Sequence, residues 1–148
     1  MWLVGHSLGG GGALNLARRH RFDMVVAIGT FTRIRDMAPG IARALVPDAY
    51  RNVGKVPRLL NRYLQIHGTK DEFVPAGMGN TLHNAASKAK RNGASFVMVG
   101  TRHQPEAQQS LAIFDAARAW RGSTNCDAKA LPRDVKLVPF GQGEPLNP

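Results

Sequence analysis

The sequence predicts an α/β fold in which a parallel β-sheet is flanked by helices. Short apolar runs alternate with longer segments of helical periodicity over the first 121 residues. Strands that alternate with helices in this way form parallel sheets through right-handed crossovers. The apolar runs are continuous, as expected for strands that are buried on both faces.

The chain opens with a strand, a sharp turn and a helix. Trp2-Leu3-Val4 is typical of the end of a buried strand, and Gly5-His6-Ser7-Leu8-Gly9 fits the pattern G-x-S-x-G. A helical pattern follows over residues 9–20. In this context the motif predicts a nucleophile elbow, where a strained turn exposes the Ser7 hydroxyl and glycines let the strand and helix approach closely. The alternative is a glycine-rich turn that contains an incidental serine.

The glycine run from Gly9 to Gly12 raises the question of a phosphate-binding loop. The sequence has no G-K-[ST] at this point, and no G-x-G-x-x-G with an acidic residue about 20 positions later. A phosphate loop is therefore rejected. The run is better explained by a helix that packs very close to the sheet.

The remaining elements follow in the order expected for the fold. Apolar runs predict strands over residues 24–28, 62–67 and 94–99, and helical patterns cover 33–46, 76–92 and 105–120, the first interrupted by Pro39-Gly40. The stretch from Pro47 to Pro57 is rich in loop-forming residues.

A change in composition divides the chain at residue 122. Residues 1–121 are predicted to form the α/β domain, and residues 122–148 a tail rich in proline and glycine that packs weakly or is disordered. Within this tail, residues 135–140 are an alternative candidate for a short edge strand.

Two polar residues follow directly after predicted strands. Asp71 lies just beyond the strand 62–67, and His103 lies just beyond the strand 94–99. Residues after the carboxyl ends of parallel strands converge on one crevice, so we expect Ser7, Asp71 and His103 to meet there. Asp71 as an ordinary turn residue and His103 as a surface loop histidine are the alternatives.

These motifs, spread over residues 2–121, together resemble the α/β-hydrolase superfamily. The matching segments are the elbow Gly5-His6-Ser7-Leu8-Gly9-Gly10, the segment from Ile66 to Pro75, and the histidine after the last strand. The segments Gly29-Thr30-Phe31-Thr32 and Arg35-Asp36-Met37-Ala38-Pro39 are most similar to a branch of membrane-associated hydrolases that includes protein depalmitoylases and lysophospholipid lipases.

The resemblance implies a serine hydrolase that acts on carboxylic esters or thioesters and needs no metal or organic cofactor. It assigns Ser7 as the nucleophile, His103 as general base and acid, and Asp71 as the residue that orients the imidazole. It also assigns the Leu8 amide as one oxyanion donor. Glu72 is the alternative acid, and the other histidines (His6, His20, His67 and His83) are expected to be structural or solvated.

The sequence departs from this family at its start. The fold normally has several strands before the elbow, which supply a second oxyanion donor, whereas here the elbow begins at Gly5. We therefore expect the C-terminal portion of a longer hydrolase, with the first strand as an exposed apolar edge. A catalytically inert remnant or interaction domain of the same fold is the alternative function.

Charge and composition limit which binding partners and which cellular compartment the sequence predicts. The net charge is +10 with pI near 10.9, and 43 % of residues are hydrophobic. The basic residues are scattered, which favours a solvated basic surface over an anionic membrane or substrate and disfavours nucleic acid. The single Cys126 excludes an intrachain disulfide, and no signal peptide or transmembrane segment is recognisable, so a reducing compartment or the cytoplasmic membrane face fits the sequence.

Overall fold

A computed structural model describes residues 1–38, 40, 42–46, 48–119, 131–143 and 145. Five strands form one sheet in the order β1-β2-β3-β4-β5. The first four strands are parallel, and the fifth is antiparallel to its neighbour. They are β1 (Trp2–His6), β2 (Met24–Ile28), β3 (Arg62–Gly68), β4 (Gly93–Met98) and β5 (Val135–Pro139). The predicted fold class, a mostly parallel sheet flanked by helices, is confirmed.

Four α-helices accompany the sheet in the described part of the chain. They are α1 (Leu8–Ala17), α2 (Ala42–Leu45), α3 (Ala76–Lys88) and α4 (Ala107–Ala119). Short 3-10 helices occupy Ile34–Met37 and three further turns between residues 48 and 58. The helical segment predicted over 33–46, with an interruption at Pro39-Gly40, is found as two short pieces separated at Gly40, which has φ +48°. The first piece, Ile34–Met37, is a 3-10 helix rather than an α-helix.

Two predicted helix ends are informative. α3 ends at Lys88 rather than at residue 92, since Lys90 adopts a left-handed conformation with φ 51°. The predicted interruption at Pro39 and the predicted end of the last helix at Trp120 lie outside the described residues.

The core lies on both faces of the sheet. On one face, Met24, Val26 and Ile28 of β2 pack in a cluster with residues of α4. On the other face, Val25 and Ala27 pack in a cluster with residues of α1 and α3. Every residue of β2 is buried, as the continuous apolar run predicts.

Strand β1 lies at an edge of the sheet, where its pairing partner is β2. Val4 in this strand remains 47 % exposed. The expectation of an exposed apolar edge is therefore met.

Part of the predicted tail joins the sheet. Val135–Pro139 pairs with β4, and the Phe140 ring stacks on the Tyr63 ring at 5.5 Å between centroids. The alternative of a short edge strand within this tail is therefore confirmed, because the backbone of Val135–Pro139 pairs with the edge that β4 would otherwise expose. The expectation of weak packing does not hold for these residues. The predicted domain boundary at residues 121/122 and Cys126 lie outside the described residues, so the division remains a prediction. No helix in the described ranges has the length and apolar character needed to cross a bilayer.

Candidate active site

Ser7 lies in the turn that joins β1 to α1. It has φ 52° and ψ −118°, a conformation that is strained for a residue with a Cβ atom. Its backbone N–H donates to the carbonyl of Ile28 at 2.8 Å, which ties the turn to the end of β2. The strain is thus held in place by the neighbouring strand.

Close backbone packing surrounds this turn. A Cβ atom on Gly5 would lie 2.3 Å from the Gly9 carbonyl oxygen, and one on Gly10 would lie 1.8 Å from Thr30 Oγ1. Neither position has room for a side chain. The glycines of the motif and of the following run therefore let α1 begin directly against β1 and the end of β2.

Asp71 follows β3 and is held in a fixed orientation. Its Oδ1 atom accepts hydrogen bonds from the backbone N–H groups of Phe73 at 2.9 Å and Val74 at 2.7 Å. The side chain is 0 % exposed. Burial without these donors would be costly for a carboxylate, so the loop is built around it.

His103 follows β4 and pairs with this carboxylate. Its Nδ1 atom lies 2.8 Å from Asp71 Oδ2 and 3.0 Å from Oδ1. The backbone N–H of His103 donates to Glu72 Oε2 at 3.1 Å. Asp71 therefore contacts the imidazole, whereas Glu72 contacts the main chain of the same loop.

Ser7 and His103 line one open groove of about 430 Å³. Among the hydrogen bonds of the described residues, none joins the Ser7 hydroxyl to His103. The other lining side chains are mainly apolar: Leu8, Phe31, Ile34, Met37, Phe73 and Val74.

The Leu8 amide is the first N–H of α1 and has no acceptor inside the helix. It lies one residue after Ser7, at the positive end of the helix dipole. The position suits stabilisation of a negative oxygen that forms at Ser7. No cluster of three metal-ligating side chains occurs among the residues that the structure describes.

Three further residues lie at the site, although the sequence assigned none of them a role there. His6 Nε2 lies 3.0 Å from the His103 carbonyl oxygen, and the two rings are 4.7 Å apart. Gly29 has φ +52°, and a Cβ atom there would lie 3.1 Å from His103 Cε1. The Phe73 ring meets the His103 ring edge-on at 5.3 Å. Only Gly29 carries a sequence signal, because it directly follows β2.

His67, expected to be structural or solvated, is a buried neighbour of Asp71. Its Nε2 atom lies 2.9 Å from the Val74 carbonyl oxygen and 3.6 Å from Asp71 Oδ2. Since a carbonyl only accepts, Nε2 carries the proton. Burial lowers the pKa of His67 below its usual value and outweighs the opposite effects of Val74 and Asp71.

Comparison with known proteins shows the fold. No protein-family model matches the sequence. The structure is similar to the esterase domain of a Rhodothermus marinus protein (TM-score 0.62, 18 % identity, 84 % of this chain and 61 % of that one). It is also similar to a monoacylglycerol lipase from Paleococcus ferrophilus (TM-score 0.64, 17 % identity, 84 % and 68 %).

A puromycin-hydrolysing peptidase from Mycobacterium tuberculosis is similar too, with TM-score 0.68 and 15 % identity over 91 % of this chain and 24 % of that one. These neighbours are members of the α/β-hydrolase superfamily. The chain therefore has an α/β-hydrolase type of fold, and it spans 61 % of the esterase domain and less of the peptidase.

Proposed function

We propose that this chain carries the catalytic residues of a serine hydrolase that cleaves carboxylic esters or thioesters. The observation that supports this most directly is the Asp71–His103 hydrogen bond of 2.8 Å beside a groove that Ser7 also lines. A buried carboxylate on Nδ1 leaves Nε2 of the same ring as the base. Ser7, His103 and Asp71 would then act as nucleophile, general base and orienting acid.

In the proposed reaction, the Ser7 oxygen attacks the substrate carbonyl carbon while His103 Nε2 takes the hydroxyl proton. The tetrahedral oxyanion lies against the Leu8 amide, and Asp71 stabilises the imidazolium. Collapse breaks the bond to the leaving alcohol or thiol, which takes the proton from His103. Water then attacks the acyl-enzyme, giving its proton to His103, which returns one to Ser7 as the acid product leaves.

This mechanism requires a Ser7–His103 hydrogen bond during the reaction. Catalytic hydrogen bonds are commonly long or poorly aligned before substrate binds. Both side chains line the same groove, and the proposal assigns the approach of the hydroxyl to the imidazole to a rotation of the Ser7 side chain. The proposal thus includes this rotation on substrate binding.

The groove favours a substrate with an apolar acyl group. Phe31, Ile34 and Met37 contribute to its lining and lie in or beside the segments that resemble the depalmitoylase and lysophospholipid lipase branch. A groove lined in this way accommodates an acyl chain by burial of apolar surface. We therefore propose a long-chain acyl ester or thioester as the substrate.

A non-catalytic domain of the same fold is the second candidate. It is favoured by one observation, the lack of a Ser7–His103 hydrogen bond among the described residues. In this case the chain would contain Ser7, His103 and Asp71 but would not hydrolyse esters or thioesters.

Labelling with a fluorophosphonate separates the two candidates. This reagent reacts with an activated serine, so we expect the purified chain to be labelled and Ser7→Ala to remain unlabelled. Circular dichroism of both proteins is the control for folding. A folded chain that is not labelled, or that is labelled equally in Ser7→Ala, would contradict the proposed activity.

A further inference from the structure

A second cavity, of about 700 Å³, is lined mainly by cationic side chains. It shares no lining residue with the groove at Ser7. It lies between the end of α1 and the turns of residues 51–58. Its lining consists of Arg18, Arg33, Arg51, Lys55 and Arg58 together with Val53 and Gly54.

No carboxylate lines this cavity, and within the described ranges none of its five cations takes part in an ion pair. Arg18 Nε donates to Asn15 Oδ1 at 3.1 Å, and Lys55 Nζ donates to Asn52 Oδ1 at 3.1 Å. These acceptors are neutral. The positive charges are therefore not compensated by a neighbouring acid.

Arg18 and Lys55 are held by side-chain hydrogen bonds, whereas Arg51 and Arg58 are exposed. Lys55 Nζ lies 5.1 Å from the centre of the Tyr50 ring and 3.5 Å from the Gly11 carbonyl oxygen. Arg33 and Arg51 are adjacent because their backbones form an antiparallel bridge. Burial, and to a smaller extent the charge of Arg18, lower the pKa of Lys55.

We propose that this cavity binds a phosphate group. Convergent like charges destabilise a folded protein unless an anion neutralises them. Guanidinium groups match phosphate oxygens in bidentate geometry, and a lysine adds a compact point charge. Four arginines and one lysine around one cavity suit a tetrahedral dianion with several acceptor oxygens.

The phosphate comes from either a soluble phosphate ester or the headgroup of a phospholipid. Both sources present the same chemistry to the five cations. The site does not depend on the catalytic assignment, because Ser7→Ala removes none of the lining residues. Failure of the hydrolase proposal would leave this inference intact, and the reverse also holds.

Two double variants of the whole chain with equal loss of charge test the site. Arg51→Gln/Arg58→Gln removes two exposed cations of the cavity, whereas Arg133→Gln/Lys136→Gln removes two exposed cations at β5. Calorimetry measures binding of inorganic phosphate and glycerol 3-phosphate. Co-sedimentation measures binding to phosphatidylcholine vesicles with and without phosphatidate.

We expect saturable phosphate binding that weakens about tenfold for each cation removed from the cavity, or about 100-fold in that double variant. The β5 variant should change affinity less than about twofold, since its charges are screened. Binding to phosphatidate vesicles that glycerol 3-phosphate displaces would identify a lipid headgroup, whereas binding of the soluble phosphates alone would identify a soluble ester. Equal weakening in both double variants, or no saturable binding in either assay, would overturn the proposal.

Discussion

The two halves of the candidate active site are held by different kinds of interaction. Asp71 and His103 follow the paired interior strands β3 and β4, and their side chains are fixed by hydrogen bonds. Ser7 follows the edge strand β1, and close contacts between backbone atoms fix its turn. The acid–base half, Asp71 and His103, thus depends on polar side chains. The nucleophile half, the turn at Ser7, depends on glycines that have no side chain.

This difference predicts where a substitution acts. A change in the acid–base half leaves the packing of the sheet intact, because Asp71 and His103 lie in loops. A change in the nucleophile half moves α1 against β1 and β2, which are part of the core on one face. The first kind of change should affect the reaction, and the second should affect the stability of the fold.

The largest expected effect is that of Asp71→Asn on turnover. The amide keeps the size of the carboxylate but supplies no negative charge, and it permits the wrong imidazole tautomer at His103. Under the proposed mechanism we expect kcat to fall about 10⁴-fold. The measurement is steady-state hydrolysis of a p-nitrophenyl ester, with thermal unfolding of the same samples.

Glu72→Gln is the matched control for this prediction. Glu72 is exposed and, among the described residues, accepts a hydrogen bond only from the backbone N–H of His103, so we expect less than about a tenfold fall in kcat. If Glu72→Gln reduced turnover more than Asp71→Asn, Glu72 rather than Asp71 would be the orienting acid.

Gly5→Ala should have the next largest effect, and it should appear in stability. The new Cβ atom would lie 2.3 Å from the Gly9 carbonyl oxygen, so α1 must move away from β1. We expect the free energy of unfolding to fall by about 3 kcal/mol. Urea denaturation followed by circular dichroism measures this change.

Gly12→Ala is the control for the glycine prediction. A Cβ atom on Gly12 has open space around it, and the residue lies inside α1. Alanine should therefore stabilise the helix by up to about 1 kcal/mol. Equal and small effects of the two substitutions would show that the turn at Ser7 relaxes easily, and the contrast between the two halves would be lost.

The sequence predicted the parts of this structure that depend on local patterns. The continuous apolar run at residues 24–28 gave a strand buried on both faces, since periodicity directly reflects burial. Because Asp71 and His103 follow two neighbouring strands, the sequence also predicted that their side chains lie close together. That inference needed only the rule that residues after parallel strands converge.

Other features that depend on contacts distant in the chain were not fully predicted. The pairing of His6 with the His103 carbonyl joins residues 97 positions apart. The strand β5 was only one of two alternatives, because a proline- and glycine-rich segment has weak strand propensity until it finds an exposed edge. Within residues 33–46 the break at Gly40 was predicted, but the 3-10 geometry of Ile34–Met37, which contacts neighbouring turns, was not.

The smallest expected effect concerns His67, which links the acid–base half to the core. Burial lowers its pKa in the folded protein, so below about pH 6.5 the unfolded chain binds more protons and stability falls as the pH falls. His67→Gln keeps an N–H donor for the Val74 carbonyl but does not titrate. We expect the loss of unfolding free energy between about pH 6.5 and about pH 5.5 to be smaller in this variant than in the original chain. Urea denaturation at both pH values measures this loss of unfolding free energy, and the exposed His20→Gln is the control.

The same reduction in both variants would show that the burial of His67 beside Asp71 is not its cause. It would also show that the Asp71–His103 half of the site is less rigidly coupled to the core than its hydrogen bonds indicate.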